Sequence, residues 1–155
     1  MDDLTVLLRI GAALVIGAML GLNRDIRGKP AGVRTHGLVS IGSATVVLVA
    51  LVAGAGPEGM SRVLQGLIAG IGFLGAGVII HHGARHRVHG LTTAASVWVS
   101  AGLGAACGAG HVALALWALG AALVLLIVGG PIERGFEQMF GAGKPADEAD
   151  RPPPI

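Results

Sequence analysis

The chain has 155 residues and a formal net charge of +2, with 13% charged residues, 53% hydrophobic residues and 27 glycines. A soluble domain carries about 25% charged residues and about 7% glycine, and this composition cannot build the polar shell that a soluble core needs. Soluble-enzyme and nucleic-acid-binding functions are therefore excluded, and the single cysteine, Cys107, excludes an intramolecular disulfide and any CxxC metal or redox site.

The charges mark out the elements. Met1-Asp2-Asp3 lacks the basic start of a cleavable signal. Span one is expected over Leu4–Leu22 and carries Arg9. A polar loop follows at 23–33, and span two covers Arg34–Ala53 within a run of 23 uncharged residues. After a Gly/Pro turn, span three covers Ser61–Ile80, most of it in a second uncharged run of 22 that follows Arg62. Each run matches the roughly 20 apolar residues of one membrane crossing. The third run, 45 residues between Arg87 and Glu133, holds two short spans, Leu91–Cys107 and Val112–Val128, around the tight turn Gly108-Ala-Gly-His111. Gly129-Gly130-Pro131 is expected to end span five. Residues 1–130 thus read as one transmembrane domain. The tail 131–155 reads as a short amphipathic piece, with Phe136, Met139 and Phe140 as apolar contacts, and then a disordered Gly-, Pro- and acid-rich end.

Alternating the loops places nine Lys and Arg residues on one side and one, Arg62, on the other, with Arg9 inside span one. Positive charge stays in the cytoplasm. The fold class is therefore an all-α, polytopic transmembrane bundle of about five spans, N-terminus outside and C-terminus cytoplasmic.

Small residues recur as Gly17xxxGly21, Gly66xxxGly70 and Gly104xxxGly108, spacings that let helix backbones approach in lipid. Gly70, Gly72, Gly75 and Gly77 fall within eight residues of span three. Each glycine weakens a helix by up to about 1 kcal/mol relative to alanine. Either close packing or an unwound segment lining a site is expected there. Arg9 either snorkels outward or serves a function within the span. His81, His82, His86 and His89 crowd one loop. His82 and His86 have the spacing of zinc ligands on a helix, but no acid or thiol stands nearby, and a basic interfacial loop is expected instead.

Two polar stretches stand out. Gly21-Leu-Asn-Arg-Asp-Ile-Arg-Gly-Lys-Pro-Ala-Gly-Val-Arg-Thr-His36 joins spans one and two, and Gly90-Leu-Thr-Thr-Ala-Ala-Ser-Val-Trp98 opens span four. With Gln65 and GIGFLGAGVI in span three, they resemble the MgtC/SapB family of bacterial membrane proteins, from about Leu8 to Gly110. The resemblance implies a multi-pass protein of the bacterial inner membrane, tied to growth at low magnesium and to virulence. It implies a regulatory role through contacts with other membrane proteins, such as the ATP synthase, and it leaves magnesium or small-solute transport as the alternative. Asn23 stands where the family usually has glutamate, and Ala69 where it often has Ser or Thr.

The candidate residues are Arg9, Asn23, Arg24, Asp25, Arg34, Thr35, His36, Gln65, Gly70, Gly72, Gly75, Gly77, Thr92, Thr93 and Ser96. Arg34, Thr35 and His36 open span two, and Thr92, Thr93 and Ser96 open span four from the same side. A polar centre is expected in that half of the bundle. Gln65 lies too near the other end of span three to touch it. Asp25 is the expected partner of Arg34. The hydroxyls bond either their own helix carbonyls or the groups of span three. The basic residues meet either lipid headgroups or an acidic surface of another protein, or Arg34 is paired inside the bundle. The spans hold no Ser–His, paired-aspartate or HExxH arrangement, so no enzyme is expected, nor any metal or cofactor. The expected partners are the lipid bilayer, other membrane proteins and further copies of this chain; nucleic acid is not one. Reporter fusions at Pro57 and at the C-terminus should signal outside and cytoplasm respectively, and an outside signal from the C-terminal fusion would reverse the topology.

Overall fold

The computed structural model describes residues 1–80 and 90–140; the histidine loop 81–89 and the tail 141–155 lie outside the described residues. Five helices follow in order: α1 (Asp3–Ile26), α2 (Val33–Val52), α3 (Pro57–Ile80), α4 (Leu91–Gly108) and α5 (Val112–Phe140). All five are long and apolar enough to cross a membrane. Met1–Leu123 form one compact unit, and the chain from Val124 forms a second.

Each expected span corresponds to one helix. α1 runs on past Leu22 to Ile26, because Asn23, Arg24 and Asp25 continue the helix instead of opening the loop. α1 begins behind Asp2, whose carboxylate accepts from the Thr5 hydroxyl at 2.6 Å and from the Thr5 backbone N–H at 3.4 Å. α5 departs from expectation: it passes through Pro131 and ends at Phe140. The residue before a proline usually avoids the helical region because its Cβ clashes with the proline ring. Here that residue is Gly130, which has no Cβ. Within the second unit, Phe136 and Phe140 stack one turn apart, ring centroids 5.8 Å from each other.

In the first unit α2 packs between α1 and α4, α1 also meets α4, and α3 lies on α4 and more lightly on α2. Glycines set these contacts. A Cβ on Gly17 would stand 2.7 Å from the His36 carbonyl oxygen, and one on Gly21 would stand 2.7 Å from the Gly32 carbonyl oxygen. From α4, Gly104 and Gly108 press on the backbone of Ser40 and Ala44. α2 is therefore held backbone to backbone on two sides. No side chain would fit in either contact.

α3 is different. Of its described side chains only Ile71 is buried, and Phe73 is 83% exposed. Nothing approaches the Cβ positions of Gly66, Gly70, Gly72 or Gly77, and that of Gly75 meets only the Ala94 Cβ at 3.6 Å. The expectation of tight packing or unwinding at 70–77 is corrected: the helix is continuous through all four glycines, and among the described residues only Gly75 meets a neighbour, in an ordinary van der Waals contact. Gly66xxxGly70 likewise makes no close contact in the bundle. Between α3 and α4 an apolar groove of about 280 Å³ runs along Leu64, Ile68, Ile71, Trp98, Ala101 and Ala105.

Gly104→Leu should therefore unfold the bundle while Gly72→Leu should not. Overpacking costs about 1–3 kcal/mol or more when a backbone must move. Thermal unfolding in detergent should show a clear loss for the first variant and little change for the second.

Candidate functional site

The polar residues of the first unit gather where α1 ends and α2 and α4 begin. Arg24 lies in the last turn of α1, only 4% exposed. Its Nη2 donates to the Thr93 hydroxyl at 2.6 Å. Its Nε is buried without a partner among the described residues, as is Oδ1 of the half-buried Asn23.

His36 is fully buried, facing α4 from the first turn of α2. Its Nδ1 lies 3.1 Å from the Gly32 carbonyl oxygen, which can only accept, so Nδ1 carries a proton. Its Nε2 lies 3.1 Å from Ser96 Oγ. The Ser96 hydroxyl is also 2.8 Å from the Thr93 carbonyl oxygen. One hydroxyl proton cannot serve both. With a neutral ring, Ser96 donates to Nε2; with a charged ring, Nε2 donates to Ser96 and the hydroxyl turns to Thr93. The pair thus has two complete arrangements, one for each protonation state.

Two more serines extend this network across the helix contacts. Ser40 donates to the Ala13 carbonyl of α1 at 2.7 Å, and Ser100 of α4 donates to the His36 carbonyl at 3.1 Å. Both are completely buried. Neither is among the residues singled out from sequence. Their signal is helical spacing: His36, Ser40 and Ser43 recur every three or four residues on α2, as do Thr93, Ser96 and Ser100 on α4.

The other candidates fall elsewhere. Arg34 and Thr35 are exposed, so the arginine inside the bundle is Arg24, not Arg34. The expected pairing of Asp25 with Arg34 is corrected too. Asp25 Oδ2 accepts the backbone N–H of Val33 at 2.9 Å. Gly32 has no side chain to cap α2, and the Asp25 carboxylate takes that place, where the helix dipole favours negative charge. Thr92 is exposed while Thr93 and Ser96 are buried, because three and four residues along a helix share a face and one does not. Gln65 is exposed on α3, away from this cluster, and Gly70, Gly72, Gly75 and Gly77 do not line it.

Arg9 does not join the cluster. Its Nη1 donates to the Gly108 carbonyl oxygen at 2.8 Å, at the C-terminal end of α4. Cations are favoured at that end. The turn is shaped for it: Gly110 has φ +90°, and a Cβ there would strike the guanidinium.

Among the described residues the arrangement holds a positive side chain, hydroxyls and one imidazole, with no carboxylate inside. Among the described residues no group of three His, Cys, Asp or Glu side chains is placed to hold a metal.

The model of the MgtC family matches residues 10–135, most of the chain. The chain belongs to the MgtC family. Protein SrpB of Synechococcus elongatus is 45% identical over 130 residues, covering 77% of this chain and 69% of that protein. Protein MgtC of Salmonella typhimurium is 42% identical over 105 residues, covering 68% of this chain and 44% of its own length. Protein MgtC of Brucella abortus is 44% identical over 110 residues, with the same two shares. This chain thus spans less than half the length of the MgtC proteins it matches. No solved structure matches it. The family match covers every residue of the cluster, and the five apolar helices make this MgtC family member a multi-pass membrane protein.

Thr93→Val should destabilise the bundle by about 1–3 kcal/mol, since it removes the hydroxyl that accepts from a buried guanidinium. Thr92→Val, on the exposed face, should stay within about 0.5 kcal/mol. Chemical unfolding in detergent compares the two.

Proposed function

We propose that this MgtC family member is a non-catalytic regulatory protein of the bacterial inner membrane, acting in adaptation to low magnesium through contacts with other membrane proteins, such as the ATP synthase. The observation that carries the reading is the sign of the buried charge. A hard divalent cation wants oxygen ligands, usually with carboxylates among them. The polar cluster instead holds the guanidinium of Arg24 and the ring of His36, with only hydroxyls beside them. A cation entering here meets a fixed positive charge in a medium that screens it poorly.

A second observation supports contact with other helices. α3 presents Gly66, Gly70 and Gly77 with none of the described residues against them, beside an apolar groove. In lipid, small residues let another helix approach closely. In this reading the end of the bundle with Arg24, Arg27, Lys29 and Arg34 faces the cytoplasm, in keeping with the bias of positive loops.

Magnesium transport is the competing reading, and flux separates the two. Purified protein in liposomes should move magnesium no faster than protein-free liposomes do. In cells lacking their own copy, the wild-type chain should restore growth under magnesium limitation, and Arg24→Gln, with membrane levels checked by blot, should not. A robust, protein-dependent magnesium flux would replace regulation with transport.

A further inference from the structure

We propose that Arg24 and the N-terminus of α4 form a binding site for a phosphate-type oxyanion, supplied either by a lipid headgroup or by a free phosphate group. Arg24 is always charged and 4% exposed; among the described residues it bonds only the neutral hydroxyl of Thr93, and its Nε has no partner. Buried charges are ordinarily paired. The nearest acid in sequence, Asp25, is exposed and engaged with the Val33 N–H. The next acid in the chain, Glu58, stands in the first turn of α3, beyond the far end of α2. α2 has 20 residues, a length of about 30 Å. Among the described residues no carboxylate bonds this guanidinium.

The second observation is independent of the first. α4 starts behind Gly90, whose φ is +95° and which supplies no side-chain cap. The first N–H groups of a helix lack intrahelical partners and carry its positive dipole end. Thr93, in the first turn of α4, is the residue that holds Arg24. Two positive groups, neither paired with a carboxylate among the described residues, thus meet at one place, and both carry N–H donors. A guanidinium edge grips two oxygens of one oxyanion, and a helix N-terminus takes a further one. A phosphate has oxygens for both elements, whereas a carboxylate has only two in all. Exposed Arg27, Lys29 and Arg34 add positive field at the same end without entering the site.

The test uses the full chain, purified in detergent, with thermal unfolding followed against added inorganic phosphate, short-chain phosphatidylglycerol, acetate or chloride at matched ionic strength. Either phosphate probe should raise the melting temperature in a saturable way, with acetate and chloride ineffective. A response to inorganic phosphate identifies a free phosphate as sufficient; a response to phosphatidylglycerol alone identifies the lipid. In Arg24→Gln the half-saturating concentration should rise about tenfold or more, the loss expected for one charge-assisted contact. Arg34→Gln, which removes an exposed arginine, should respond like the wild type. If Arg24→Gln does not fold, Leu91→Glu serves in its place. Leu91 is 58% exposed in the first turn of α4, and a carboxylate there should weaken the phosphate response by competing for the helix N-terminus. The proposal is overturned if neither phosphate probe stabilises the wild type, if acetate does so equally, or if Arg34→Gln weakens the response as much as the variants of the site.

Discussion

Everything in the first unit depends on how closely α2 can approach its two neighbours. Gly17 and Gly21 on one side and Gly104 and Gly108 on the other let its backbone touch the backbones of α1 and α4. Lipid gives helices little hydrophobic reason to associate, so dispersion and hydrogen bonds across such contacts must hold them. The approach brings carbonyl oxygens within reach of short hydroxyl side chains. Ser40 crosses to Ala13, and Ser100 crosses to His36. At a wider helix separation neither serine would reach across, and each hydroxyl would turn back to a carbonyl of its own helix, as Ser43 does to Val39 at 2.8 Å, leaving the helices without these ties.

The same closeness explains the polar cluster. His36 sits one turn from Ser40 on the face of α2 that meets α4, and Thr93, Ser96 and Ser100 line the facing side. Arg24 comes in from the end of α1, carried there by a helix that continues four residues beyond its apolar stretch. The result is a network from three helices, with a positive charge at its edge and hydroxyls through its middle. Its sign is what separates regulation from cation transport in the reading above.

The spans were legible because charge spacing and apolar length are one-dimensional properties. The family was legible because its motifs are short and ordered. Rotation about each helix axis was not legible. In a soluble helix the apolar face points inward, but here nearly every face is apolar, so the pattern does not say which glycines meet a neighbour. That is why Gly17, Gly21, Gly104 and Gly108 turn inward while the denser cluster at 70–77 faces out. The same blindness exchanged Arg34 for Arg24. Both flank the α1–α2 loop, and only the turn of each helix decides that one is buried and the other exposed. Asp25 was assigned to the wrong partner because its true one is a backbone N–H, which sequence does not display.

The bond from Arg9 to Gly108 joins residues 99 positions apart, and this has a consequence for biogenesis. A ribosome adding about 5–20 residues per second delivers Gly108 some seconds after Arg9. Through that interval α1 resides in the bilayer with a guanidinium whose acceptor does not yet exist. Until then water or lipid headgroups must serve the guanidinium. Completion of α4 brings a carbonyl oxygen that takes their place, so the contact that ties the first helix to the fourth is among the late ones to form.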